Sequence, residues 1–219
     1  MIAGAIFDLN GTLIDDMRAH GRAWSAVFRE LGVDVPPVRF ERDLAGMKHG
    51  ETFEAVLGRK LPDEEATRLG ERKDALYREI YAPDLRLVPG ARELLQRLRA
   101  AGVRRAVATA APIANRDFAL DGLGIRGLFD AIVGEESVRR GKPAPDLYLE
   151  AARALGTDPA GCVAFEDAAN GVRAARAAAM HAAAVTTTTP AEALREAGAE
   201  FVFRDFAHLP AALEALIFS

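Results

Sequence analysis

From Pro89 onward, short apolar runs alternate with stretches of helical periodicity, and this alternation narrows the available folds more than any other feature of the chain. Apolar runs at 104–109, 131–133, 162–165, 182–185 and 200–203 predict strands. Around them the spacing predicts helices over 91–101, 115–123, 145–155, 168–179 and 207–216. Repeated βα units imply a parallel sheet with helices on both faces. The run Ile2 to Phe7 predicts a first, buried strand of the same sheet. From 15 to 83, by contrast, the pattern is helical throughout. Trp24, Val27, Phe28 and Leu31 recur at helical spacing, 38–44 and the Phe53, Val56, Leu57 region predict two more helices, and a fourth runs from Pro62 to Tyr81. That fourth helix opens on proline and acids, as helix N-termini favour. The expected fold class is α/β: a Rossmann-like parallel sheet core, residues 1–14 and 84–219, with a helical cap domain, residues 15–83, inserted after the first strand.

Composition excludes several functions. The formal charge is −4 and the basic residues are scattered, which argues against a nucleic-acid partner. Cys162 is the single cysteine, so neither a disulfide framework nor a cysteine zinc site is available, and its apolar surroundings read as packed core. The N-terminal apolar run meets Asp8 too soon for a secretory leader, and no run reaches membrane-spanning length. A cytoplasmic protein without membrane association, acting as a monomer, is the expectation.

Polar residues interrupt the apolar strands at their carboxyl ends, where open α/β sheets bind ligands. Asp8 follows the first strand, and Gly11 then permits a tight turn. Thr109 ends the run Ala106-Val107-Ala108-Thr109. Lys142 lies in Gly141-Lys142-Pro143-Ala144-Pro145-Asp146, a loop that opens a helix. Glu166 and Asp167 follow Phe165. Each has an ordinary reading on its own: a turn cap, a strand residue, a solvated lysine, a helix cap. Together they make chemical sense. Asp8, Asp167 and Glu166 supply the hard oxygen ligands that suit Mg²⁺, while Lys142 and Thr109 could hold a phosphoryl group beside it. Phosphoryl transfer depends on positioning and charge neutralisation, and a carboxylate can be its nucleophile. A helical insertion could close over such a site and exclude water.

Four segments, Phe7-Asp8-Leu9-Asn10-Gly11-Thr12-Leu13, Thr109, the 141–146 loop and Phe165-Glu166-Asp167-Ala168-Ala169-Asn170-Gly171, resemble the haloacid dehalogenase-like superfamily, and within it the beta-phosphoglucomutase-like phosphatases and mutases. The resemblance implies that Asp8 is nucleophile and metal ligand, that the Asn10 main-chain carbonyl and Asp167 are further ligands with Glu166 close by, and that Thr109, Ala110 and Lys142 bind the phosphoryl group. The implied cofactor is Mg²⁺ and the implied partner a small phosphorylated metabolite, such as a sugar phosphate.

The chain departs from the family pattern at Asn10, where an aspartate usually serves as general acid/base. A carboxamide cannot exchange a proton at neutral pH, so turnover should suffer, and an engineered substitution that traps a phosphoenzyme, a natural variant using another group, or a binding protein on an enzyme fold are all open. His20, before Ala23-Trp24, resembles the mutase histidine that couples cap closure to proton movement, and histidine titrates near working pH. Gly46-Met47-Lys48-His49-Gly50 resembles the substrate-reading cap loop, with His49 where an arginine often holds a second phosphate. Lys48 or Arg22 could meet such a phosphate instead, and Trp24 joins the cap residues expected to face substrate. His49 and Thr12 favour a phosphatase over a mutase. Asp15 and Asp16 are expected to cap the first cap helix.

Overall fold

Six parallel strands form one sheet in the computed structural model, which describes residues 2–42, 44 and 47–219, with the backbone alone of Glu41 and Arg42. They are β1 (Gly4–Phe7), β2 (Arg104–Thr109), β3 (Ala131–Gly134), β4 (Cys162–Glu166), β5 (His181–Val185) and β6 (Phe201–Phe203), in the order β3-β2-β1-β4-β5-β6. Buried on both faces, such strands read as nearly continuous apolar runs, and β1 is buried at every residue. Alternation along the strands still sorts side chains between faces. Ile6 and Ala164 meet α7 (Asp146–Leu155) and α8 (Ala169–Ala177) through Leu147, Ala151, Leu155, Val172 and Ala175. Phe7 and Phe165 turn the other way and stack on each other at 4.5 Å, with Phe206 5.7 Å from Phe165. The expected sheet, its parallel sense and its five later strands are all present. β1 is shorter than the 2–7 run because Ile2 and Ala3 lie before the first paired residue.

The chain divides into two compact units, Met1–Asp15 with Arg86–Ser219, and Asp16–Leu85. The first holds the sheet together with α5 (Ala91–Ala100), α6 (Ile113–Gly122), α7, α8, α9 (Ala191–Glu196) and α10 (Ala211–Phe218). α9 went unforeseen: it has six residues and buries only Leu194, too little to generate a periodic pattern.

The second unit contains α1 (Met17–Glu30), α2 (Pro37–Arg42), α3 (His49–Leu57) and α4 (Asp63–Tyr81). Its core is aromatic: Trp24 stacks on Phe40 and Phe28 and meets Phe53 edge-on, with Val27, Leu61 and Leu69 around them. The helix expected over 38–44 ends at Arg42, with Leu44 past its end and Asp43 outside the described residues. No helix among the described residues is long and apolar enough to cross a membrane.

Candidate active site

The sheet order sets the site. The chain passes from β1 to β2 and β3 on one side and then returns to place β4 on the other. The reversal falls at the middle strands, where a crevice opens beyond their carboxyl ends. Phe7 is level with Val107 and Phe165, so Asp8, Glu166 and the last residues of β2 arrive at the same edge. The Asp8 N–H donates to the Phe165 carbonyl at 3.0 Å, fixing the backbone where β1 ends.

Lys142 enters from the loop before α7 and joins the carboxylates. Its Nζ donates to Asp8 Oδ1 at 2.6 Å and to Glu166 Oε1 at 2.5 Å, with the Ala108 carbonyl at 3.4 Å. Glu166 Oε1 also accepts from the Tyr148 hydroxyl at 2.6 Å, and Oε2 accepts the N–H groups of Asp167 and Ala168 at 3.1 and 3.2 Å. Asp167 Oδ1 accepts from the Thr12 hydroxyl at 2.9 Å. Two glycines make the cluster possible. Gly11 has φ +76°, a backbone conformation that disfavours side chains, and a Cβ there would overlap the Asp167 carboxylate. A Cβ on Gly171 would overlap the Glu166 carboxylate. The Thr187 hydroxyl donates to the Gly11 carbonyl, so the threonine run at 186–189, read from sequence as a plain polar loop, also supports this turn.

Oxygens of Asp8, Glu166 and Asp167 lie within 4.8 Å of one another, and all three residues are buried. Lys142 is the one ammonium touching them among the described contacts. Burial, and then repulsion from Glu166 and Asp167, push the Asp8 carboxyl well above its ordinary range despite Lys142. Burial and Glu166 push Asp167 up to about 7. Burial opposes the Lys142 charge too, but Asp8 and Glu166 outweigh it and keep the ammonium protonated. Three hard carboxylates sharing one lysine leave an excess of buried negative charge. Such a site favours a further cation, and its all-oxygen donor set suits a divalent metal ion.

The other expected phosphate residues stand nearby. Thr109 ends β2 and its Oγ1 accepts the Ala111 N–H at 3.0 Å, while Ala110 is exposed. Asn10 forms a bridge with Ile14 in the turn that follows Asp8. Asp8, Lys142, Glu166 and Asp167 are thus brought together, with Thr109 on the neighbouring strand.

His20, Trp24, Lys48 and His49 belong to the second unit, where the two histidines enter a different polar cluster. His20 Nδ1 is 2.8 Å from Lys73 Nζ, and its Nε2 is 3.3 Å from Asp16. Lys73 donates to Asp74 at 3.1 Å, and His49 lies 3.7 Å from Asp74. The Tyr77 hydroxyl donates to Asp16 at 2.6 Å and its ring stacks on His20 at 3.9 Å. Burial, followed by Lys73, lowers the His20 pKa, and burial likewise lowers those of His49 and Lys73. Trp24 is buried in the aromatic core and meets His49 edge-on at 5.5 Å, so its ring serves packing. Lys48 is exposed, and its N–H donates to Glu51 at the start of α3. Two expectations are corrected. Asp16 stands at the N-cap of α1 without a side-chain cap bond, because its carboxylate turns to Tyr77 and His20. His49 and Gly50 are the first residues of α3 rather than loop, and Gly46 lies outside the described residues.

Sequence reasoning missed Tyr148, Lys73, Asp74 and Tyr77. Tyr148 reads as one more apolar position of α7. Lys73 falls in Glu71-Arg72-Lys73-Asp74, a charged stretch that suggests a solvated face. The available clue was spacing: Lys73 lies four residues from both Leu69 and Tyr77, on the stripe that α4 buries.

Comparison with known proteins identifies the family. A family model of haloacid dehalogenase-like hydrolases matches residues 2–179. Validoxylamine A 7'-phosphate phosphatase of Streptomyces hygroscopicus subsp. limoneus is 36% identical over 200 residues, covering 88% of this chain and 90% of its own. The beta-phosphoglucomutase of Clostridium difficile superposes with a TM-score of 0.85 at 26% identity, over 100% of this chain and 97% of that one. A mutant of CbbY from Rhodobacter sphaeroides with asparagine in place of an aspartate, in complex with xylulose-(1,5)bisphosphate, superposes with a TM-score of 0.81 at 29% identity, over 95% and 96% of the two chains. The chain belongs to the haloacid dehalogenase-like hydrolases, as an enzyme of the phosphatase and phosphotransferase kind.

Proposed function

We propose that this enzyme is a Mg²⁺-dependent phosphatase of a small phosphorylated metabolite, such as a sugar phosphate, acting through Asp8 and slowed by Asn10. The observation that carries this reading is the meeting of Asp8, Lys142, Glu166 and Asp167 at the edge where β1, β2 and β4 end. The phosphatase and the sugar-bisphosphate complex among its relatives support the substrate class. Asp8, Asp167 and the Asn10 main-chain carbonyl would hold Mg²⁺, which when bound neutralises charge between the carboxylates and the phosphate.

Asp8 attacks phosphorus and the ester P–O bond breaks, giving an aspartyl phosphate and an alkoxide that takes its proton from water. A second water then attacks the phosphorus and gives its proton to the hydroxide left by the first step, releasing inorganic phosphate and restoring the Asp8 carboxylate. Lys142 stays charged throughout and holds the phosphoryl oxygens, with the Thr109 hydroxyl beside it. The Asn10 carboxamide neither protonates the leaving oxygen nor activates the water. General acid/base help is worth roughly 10²- to 10⁴-fold, so Asn10→Asp is expected to raise phosphate release by that order. Release from a panel of phosphorylated metabolites, with and without Mg²⁺, checks this. An unchanged rate in Asn10→Asp removes Asn10 as the cause of slow turnover. Isomerisation of a hexose phosphate without net release would identify a mutase, and ligand binding with no turnover in either variant a binding protein.

A further inference from the structure

We propose that Tyr148 is a positioning residue for Lys142, acting through Glu166, and that Glu166 serves as this lysine's anchor rather than as a ligand for the metal. The proposal rests on the phosphotransfer reading above and adds to it a division of labour among the three carboxylates.

The Glu166 carboxylate is saturated by the protein. A carboxylate offers about four lone-pair sites, and Glu166 receives four donors: Lys142 and Tyr148 on Oε1, and the Asp167 and Ala168 N–H groups on Oε2. Two of these are main-chain groups of the two residues that precede α8, and they cannot swing away as a side chain can. Gly171 leaves the space in which the carboxylate lies. Asp8 and Asp167 remain as the acids for a cation.

Tyr148 acts on Lys142 in two ways. The ammonium lies 5.2 Å above its ring, a favourable cation–π arrangement, and its hydroxyl shares the oxygen that Lys142 uses. The ring is fully buried among Leu147, Ala151 and Val172 and has little freedom to move. The hydroxyl takes up part of the Glu166 charge, so that Glu166 does not draw Lys142 away from Asp8. Tyr148→Phe keeps the ring and removes only this restraint.

The test measures binding rather than turnover. Mn²⁺ affinity, read by electron paramagnetic resonance, and the affinity of the Mn²⁺-loaded protein for inorganic phosphate are compared in the unmutated protein and Tyr148→Phe. Misaligning one charge-assisted hydrogen bond is expected to weaken phosphate binding about tenfold and to leave Mn²⁺ affinity unchanged. A merely structural tyrosine would lower the melting temperature and leave both affinities alone, which overturns the proposal. So does a parallel loss of Mn²⁺ affinity, because Glu166 would then act through the metal. A second readout needs no variant. With ¹³C-labelled lysine and tyrosine, phosphate added to the loaded protein should shift the Lys142 and Tyr148 resonances together, and a Tyr148 ring that stays still while Lys142 responds overturns the proposal. If phosphate binds nowhere, the phosphotransfer reading falls by itself. The Lys142 resonance of the metal-free protein then decides: it moves in Tyr148→Phe if the tyrosine positions the lysine, and an unmoved resonance refutes that.

Discussion

The two units each bury a polar cluster, and the two are balanced in opposite ways. At the sheet edge three carboxylates, Asp8, Glu166 and Asp167, share one ammonium, and burial raises the pKa of two of them. In the helical unit two carboxylates, Asp16 and Asp74, are met by Lys73, His20, His49 and the Tyr77 hydroxyl. The first cluster is short of positive charge and the second is supplied with donors from its own helices. Unpaired charge in a buried site costs stability, and a fold tolerates it where a ligand completes the balance. A closed cluster holds helices together instead. The difference teaches that buried ionisable residues mark a binding site by their imbalance rather than by their number.

Opposite responses to mutation test that contrast most severely. Asp8→Asn removes the proposed nucleophile, and phosphate release should fall to background. The same change deletes one of the crowded carboxylates, so the metal-free protein should melt at a higher temperature than the unmutated one at pH 8. A lower melting temperature would mean that Asp8 is fully compensated by Lys142, and the imbalance would be lost. In the helical unit the sign reverses. Lys73→Met takes away the buried cation between Asp74 and His20, and breaking a buried pair in this way costs about 3–5 kcal/mol. Lys73 also lowers the pKa values of His20 and His49. Without it they protonate more readily, so the loss of stability in urea melts should be smaller at pH 5.5 than at pH 8.

The smaller third effect is in pH. In the metal-free protein Asp167 titrates near 7, against about 3.9 in an unfolded chain. Between those values the native state holds more protons than the unfolded one, so stability falls as pH rises from about 4 to 7, by at most about 1.4 kcal/mol per pH unit for one group. Asp8 acts in the same direction. A divalent cation binds the deprotonated carboxylates and opposes that fall. The melting-temperature difference between protein in Mg²⁺ and protein in a chelator should therefore widen from pH 5 to pH 8, and a constant difference would count against a metal at these acids.

The same contrast explains what could be read in the sequence. Asp8, Thr109, Lys142 and Glu166-Asp167 each interrupt or follow an apolar strand, and a parallel sheet brings strand ends to one edge whatever their separation along the chain. Strand periodicity and sheet geometry together therefore suffice to gather them. Helices give no such edge. Whether Lys73 points inward depends on its rotation about α4 and on what α1 presents to it, and a charged neighbourhood hid the stripe from Leu69 to Tyr77. The chemistry of His20 singles it out in the sequence, but its partners Asp16 and Lys73 come from tertiary packing. Tyr148 is hidden in the sequence for a different reason: its ring satisfies the apolar pattern of α7 while its hydroxyl reaches a carboxylate from β4.

The smallest expected effect sharpens the comparison furthest, because it changes the balance without changing a charge. The Thr12 hydroxyl donates to Asp167 Oδ1 at 2.9 Å, and this bond is one of the influences that lower the Asp167 pKa. Thr12 is fully buried, so Thr12→Val preserves shape and removes the donor. Losing one such bond costs about 1 kcal/mol. Because the bond favours the ionised carboxylate, that energy appears as an upward shift in the Asp167 pKa of up to about one unit. Protons and metal compete for the same oxygens. The pH at which Mn²⁺ affinity reaches half its plateau should therefore rise by the same amount in Thr12→Val, while the affinity at the plateau stays near that of the unmutated protein. A pH midpoint that does not move would show that Asp167 owes its ionisation to other partners, and that charge alone sets the response of this edge of the sheet.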